Sequence, residues 1–380
     1  MRVIIFSGKG GSGVSTLAAA TGTAIARGGL RTLVFGLTPG LGEAFGAALP
    51  AAPHAVGERL EALEAHSGSA GSDEFREWLE DLLDWRGMDV ELAEDLASLP
   101  GLSHVGHLLE LERSTQGGYD AIVVDAASLS EFLDLPAALD SAARWLDRLF
   151  APRQQNVFEP FLRVFAADYA NAGEDVFERG RELLTRLASL RKLLTDPEVC
   201  SVRVVLPATA GANVTARDAI AALSLYSFAT DAAVLSRLLP DAVTDPFFAP
   251  LRGEQAKARK QLATDLAPLP VLQSLATDKA PTGADALAAV AAALYGKRDP
   301  AAVLHEAPSH SFEEADDGYV LTLALPFARK EDLRLEQSQD GIAVHLNGRR
   351  CILSLPEAVR YQDAASWSFD GRELTVTFAR

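Results

Sequence analysis

The sequence predicts an α/β architecture: a doubly wound, mainly parallel sheet with a helical insertion, followed by a smaller antiparallel β-sandwich. Three observations carry this reading. The first third alternates apolar strands with helices, the pattern of βαβ units. From about residue 135 to residue 195 the periodicity is helical and contains no strand. Beyond residue 310 the pattern changes to short alternating strands separated by turn residues.

In chain order, residues 3–7 form an apolar strand, 8–13 a glycine loop, 15–27 a helix of small residues and 31–37 a second apolar strand. A polar stretch at 65–73 leads into an amphipathic helix at about 74–84. Residues 119–125 (YDAIVVD) are a buried strand ending in an acid, 202–206 and 233–235 are further core strands, and a helix at 283–295 closes the domain. In the last part, 319–325, 342–346, 350–355 and 374–378 are strands, with turns at Asp316-Asp317-Gly318, Asp340-Gly341, Asn347-Gly348 and Asp370-Gly371. The chain therefore divides into a first domain at 1–297, with its helical part at about 137–196, a linker at 298–309 and a sandwich at 310–380.

Composition narrows the function. Against 35 Lys and Arg stand 52 Asp and Glu, a net charge of −17. Such a surface repels phosphodiester backbones and anionic lipid, so nucleic acid is not an expected partner. Cys200 and Cys351 stand far apart with no neighbour in ligand spacing, which excludes a disulfide framework and a cysteine-based zinc site within one chain. The longest apolar stretch, 287–295, is well short of the roughly 18 residues a membrane span needs, and the N-terminal apolar run is too short for a signal peptide. A cytoplasmic protein is expected.

The chemistry concentrates in Gly8-Lys9-Gly10-Gly11-Ser12-Gly13-Val14-Ser15-Thr16, set between a strand and a helix. Glycines let successive backbone N–H groups curl around an anion, and the helix N-terminus adds partial positive charge. In the full motif GxxxxGK[ST] a lysine bridges the outer phosphates and a hydroxyl holds Mg²⁺. Here the hydroxyl is Ser15 and the lysine position is Val14. A tight glycine turn with no ligand is the alternative.

Lys9 after the first glycine gives the string GKGG-x-G-x-S, which resembles the deviant P-loop of the family containing MinD, nitrogenase iron protein, and the arsenite-efflux (ArsA-type) and tail-anchored-protein-targeting ATPases. The resemblance implies a P-loop NTPase fold, ATP or ADP with Mg²⁺ as ligand, and a homodimer in which Lys9 reaches the partner's nucleotide. It also implies that Thr38, in Leu37-Thr38-Pro39, occupies the place of a water-orienting aspartate. Asp125 would be the acid that joins Ser15 in holding Mg²⁺. Residues 125–136 resemble a shortened second switch, and the adenine-reading asparagine of the family falls on Ser236. With Val14 and Thr38 in place no catalytic set is intact, and weak nucleotide binding with negligible hydrolysis is expected.

In the helical middle, Phe150, Phe158, Phe161, Leu162 and Phe165 recur near one helical turn apart. At this place the targeting branch of the family carries a groove for a client transmembrane helix. Such a stripe more often marks a core-facing helix. After residue 310, the strand ending Leu325-Pro326-Phe327, then Lys330-Glu331-Asp332-Leu333, Ile352-Leu353-Ser354-Leu355-Pro356 and Gly371-Arg372-Glu373-Leu374 resembles an α-crystallin (small heat-shock) domain. The two resemblances imply a chaperone-like binder of hydrophobic segments. The alternatives are a working ATPase for anion transport or membrane-protein delivery, and a MinD-like positioning factor. Lone cysteines argue against arsenite, which needs clustered thiolates.

Overall fold

The computed structural model describes the chain except residues 86, 99–101, 136–138, 140–173, 308–309, 316–317, 339–340, 356–358, 360–363 and 380. Phe150, Phe158, Phe161, Leu162 and Phe165 lie outside the described residues.

A run of β-branched and aromatic residues makes β1 (Arg2–Gly8) the centre of an 8-stranded sheet. Its neighbours are β5 (Ala121–Ser128) and β6 (Cys200–Pro207), both parallel to it. Outward on one side come β2 (Thr32–Gly36), β4 (Leu60–Glu64) and β3 (His54–Gly57), and on the other β7 (Thr230–Leu238) and β8 (Val271–Leu275). All of these pairings are parallel except β3 with β4, an antiparallel edge.

Alternate residues of β1 feed two cores, as the strand period of two requires. Ile4 and Phe6 pack with Leu17 and Ala18 of α1 (Val14–Arg27) and Leu287 of a closing helix at Ala284–Tyr295. Val3 and Ile5 belong to the other core, with Phe75 of α3 (Ala70–Trp85), Leu108 of α5 (Ser103–Thr115) and Leu187 of α7 (Glu174–Leu194). Between these run the short α2 (Leu41–Phe45), α4 (Leu92–Ser98) and α6 (Leu129–Phe132). Later come α8 (Ala212–Leu225), α9 (Ala249–Asp265) and α10, the closing helix. The described part of the helical middle is α7.

The C-terminal strands form two antiparallel sheets. One is ordered β14 (Ala364–Phe369), β15 (Glu373–Ala379), β10 (Gly318–Ala324), β9 (Ser311–Ala315); the other is β11 (Leu333–Ser338), β12 (Gly341–Leu346), β13 (Arg349–Ser354). This sandwich shares its apolar core with the outer face of α8: Leu321, Leu323 and Leu325 join the cluster that holds Ala219 and Leu223. Ser224 Oγ donates to the Ala324 carbonyl at 2.6 Å. At the contact's edges Arg349 pairs with Asp134 at 3.2 Å, and Tyr226 Oη donates to the Arg350 carbonyl at 3.3 Å.

The stretch between the two parts reads from sequence as a connector, yet it is fastened under the parallel sheet. Arg203 and Asp231, both fully buried, pair at 3.2 Å. The guanidinium also donates to the carbonyls of Pro300 at 2.9 Å and Ala302 at 3.0 Å and to Tyr295 Oη at 2.8 Å. Asp231 in turn accepts from the Leu304 N–H at 3.2 Å, and Arg2 Nε donates to the Ala301 carbonyl at 3.2 Å. A buried ion pair is tolerated only when its remaining donors and acceptors are filled, and here linker backbone fills them.

Candidate phosphate-binding site

The glycine loop leaves the carboxyl end of β1 at the centre of the sheet, where open α/β sheets place their ligands. Gly8 is dictated by space: a Cβ there would stand 2.2 Å from the Val205 carbonyl oxygen of the neighbouring strand. Gly11 and Gly13 adopt φ of 74° and 89°, left-handed conformations that side chains disfavour. A Cβ added at Gly10, Gly11 or Gly13 would meet nothing within 4 Å, so the loop curves around open space. It is tied by Ser12 N–H donating to the Lys9 carbonyl at 3.0 Å.

Helix α1 starts at Val14 with no acidic residue in its first turn, which leaves its positive end aimed at this hollow. Ser12, which lines a neighbouring cavity rather than this hollow, has a buried Oγ that makes no hydrogen bond among the described residues. A buried hydroxyl left so is costly unless a ligand completes it. The hollow is part of a cavity of about 370 Å³ lined by Lys9, the loop glycines, Ser15, Thr16, Glu43 and Arg237. Beside it lies a second cavity of about 420 Å³, lined by Ser236, Arg237, Ser274 and residues 275–281. The arrangement fits a phosphate chain in the first and an attached group in the second.

The sequence-predicted residues divide accordingly. Lys9 is exposed and, with Ser15 and Thr16, lines the first cavity. Val14 lines it too, but its side chain is 6% exposed and packs into the core with Leu17 and Leu41. Asp125 is buried in β5, in register with Phe6 and Gly36, and lines neither cavity. Ser236 lines the second cavity, and its hydroxyl donates to the Leu206 carbonyl at 3.1 Å. Thr38 is half-buried and not part of the lining; Gly40, further along the same loop, and Glu43 and Ala44 of α2 are.

Three features are absent from the sequence reading. Glu64, at the end of β4, accepts the N–H groups of Gly40 at 2.9 Å and Gly42 at 2.8 Å and so fixes the loop after β2. Glu43 brings a carboxylate into the cavity. Arg237 lines both cavities. The tripeptide Ala280-Pro281-Thr282 before a glycine and a helix is a turn signal that could have marked the cavity's outer wall.

Both cysteines are buried, Cys200 in β6 and Cys351 in β13, so they belong to different sheets. Burial pushes the Cys200 thiol up to about 12. No group of three or more His, Cys, Asp or Glu among the described residues is placed to hold a metal. No described helix is long and apolar enough to cross a membrane.

Comparison with known proteins agrees with this geometry. Residues 1–296 match the anion-transporting ATPase (ArsA) family, and residues 316–378 match the HSP20-like domain found in ArsA. A protein of Chlorobaculum tepidum named "Putative arsenical pump-driving ATPase" is 26% identical over 389 residues, covering 100% of this chain and 96% of that one. One of the same name, numbered 1, from Aquifex aeolicus is 24% identical over 382 residues, 95% of each. A Streptomyces coelicolor protein is 30% identical over 392 residues, 100% of this chain and 97% of that one. With the glycine loop at the head of a central parallel strand and the sandwich behind it, the chain belongs to the ArsA anion-transporting ATPase family and carries that family's HSP20-like domain.

Proposed function

We propose that this chain holds a nucleotide at the glycine loop, hydrolyses it negligibly, and acts as a homodimeric, chaperone-like binder of hydrophobic transmembrane-type segments. The observation that carries the first part is the pairing of a formed cradle with an apolar Val14. The backbone donors of residues 10–15 do not depend on that side chain, but the charge on the transferring phosphoryl group does. Ser15, which lines the cavity, would hold Mg²⁺, which when bound neutralises phosphate charge; Asp125 would join it only from outside the cavity lining. Phosphoryl transfer rests on positioning and electrostatics, and one missing contact of that kind costs about 10²–10³ in rate. Valine for lysine and Thr38 for a carboxylate together predict turnover at least about 10⁴-fold below an ordinary ATPase.

Titration of the full chain with ATP–Mg²⁺ beside a hydrolysis assay tests this. Binding with no turnover is expected, and Gly10→Asp, whose carboxylate would fill the open cradle, should abolish binding. Steady turnover near about 1 s⁻¹ that Lys9→Ala removes would establish the working ATPase instead.

The client-binding part is supported by the apolar stripe of Phe150, Phe158, Phe161, Leu162 and Phe165 and by the family's HSP20-like domain. Separated thiols in two sheets disfavour arsenite as the cargo. The discriminating variant is Phe161→Asp/Phe165→Asp. A groove predicts unchanged stability and lost co-purification of a transmembrane-helix peptide. A core predicts a loss of several kcal/mol, because each change buries an unpaired charge.

A further inference from the structure

We propose that Arg237 is the phosphate-chain cation of this site, standing where position 14 offers none. The inference rests on the reading that the glycine loop holds a nucleotide. Strand β7 is buried along its length except at Arg237. The exception has a backbone cause. Pairing with β8 runs from Leu235 opposite Gln273 to Leu238 opposite Leu275, so β7 carries one extra residue there. Bulges of this kind re-aim a side chain and gather beside active sites. Arg237 takes a φ of 56°, a conformation unusual for a residue with a Cβ.

The bulge is held from behind. Gln255 of α9, 7% exposed, donates through Nε2 to the Arg237 carbonyl at 3.0 Å and accepts from the Leu239 N–H at 2.9 Å. The result is that Arg237 lines both cavities. Among the residues lining the phosphate cavity the cations are Lys9 and Arg237, and the carboxylate is Glu43. No carboxylate among the described residues lies within ion-pairing distance of Arg237, although the chain carries an excess of 17 negative charges. A guanidinium presents a planar fork of donors suited to phosphate oxygens. Lining both cavities, Arg237 stands where a phosphate chain leaves the loop toward the attached group.

The experiment is calorimetric titration of the full chain with ATP–Mg²⁺ and, separately, with inorganic tripolyphosphate. Wild type is compared with Arg237→Gly, Arg237→Lys and Gly10→Asp. Glycine tolerates the positive φ, so Arg237→Gly keeps the bulge, and its melting curve confirms the fold. The expected result is a loss of about tenfold to a hundredfold in affinity for both ligands in Arg237→Gly, with most of it recovered in Arg237→Lys. Wild-type affinity for both ligands in Arg237→Gly, with binding lost in Gly10→Asp, overturns the role of Arg237 and leaves the loop reading standing. A loss for ATP alone overturns the phosphate contact, since it places the arginine on the base. Wild type that binds neither ligand, or binding unmoved by Gly10→Asp, overturns the loop reading and this inference with it.

Discussion

On the proposed reading, position 14 is where one side chain divides holding from cutting. The valine contributes to the core against Leu17 and Leu41, so the loop retains its shape while losing a charge. On the same reading, returning the charge would not return the chemistry, since Thr38 offers no carboxylate to orient a water. Val14→Lys is therefore expected to tighten ATP binding by about tenfold, the worth of one charged hydrogen bond, while leaving steady-state phosphate release at background. Release that rises to about 1 s⁻¹ in the single variant would show that another group, Glu43 being the carboxylate in the cavity, already places the water. The glycines, Lys9 and Ser15 were legible because their residue types have few other uses in that order. Arg237 was not: nothing in its neighbours announces a bulge, and its value comes from a backbone angle.

Among elements, the loop after β2 is organised by a strand that sequence reading passes over. Glu64 reaches it from β4, whose string LEALE reads as helix former and whose partner β3 is exposed. The pin spans 24 residues from Gly40 and 22 from Gly42, a separation that no local pattern encodes. Glu64→Ala leaves two backbone N–H groups without their acceptor, one of them in the buried Gly42. A loss of about 1–3 kcal/mol in denaturant stability is expected, with faster amide exchange confined to residues 40–42. Exchange unchanged at those residues would show that the carboxylate merely rests there. The sandwich was more readable because turn chemistry marks its hairpins: Asn347-Gly348 lies between β12 and β13, Asp370-Gly371 between β14 and β15. Strands β9, β11 and β14 were missed; β9, with three of its five residues exposed and none buried, has little alternation to read.

At the scale of the whole molecule, the seam between the parallel sheet and the sandwich contains a titratable group. His310 is largely buried and accepts the Ala324 N–H on Nδ1 at 3.2 Å. Burial, and secondarily the nearby Arg191, holds its pKa below the ordinary 6.5. Below that pH the unfolded chain takes up a proton that the folded chain refuses. Stability is thus full above pH about 6.5 and falls as pH drops through it. His107, buried beside His104 and His66, shifts the same way and adds to the loss. His310→Asn keeps an acceptor in the place of Nδ1 but cannot titrate. Its urea midpoint is expected to fall less than that of wild type between pH 7.5 and pH 5.5; an identical fall would clear His310 of any part in it. This seam was invisible beforehand, since its contacts join residues about a hundred or more positions apart, such as Ser224 with Ala324 and Tyr226 with Arg350.

The fastened linker sets the reach of the sandwich. A free connector of a dozen residues would let the sandwich swing on a long leash and sample a wide volume. Here Arg203 and Asp231 hold the chain as far as Leu304, and His310 is anchored again at Ala324. Five residues separate the two anchors, enough to span at most about 20 Å when extended. Even if the seam on α8 opened, the sandwich would remain at high effective concentration beside its own parallel sheet. On the proposed client-binding reading, anything the sandwich binds must come to that neighbourhood, and the tether makes the sandwich a local instrument of its own chain.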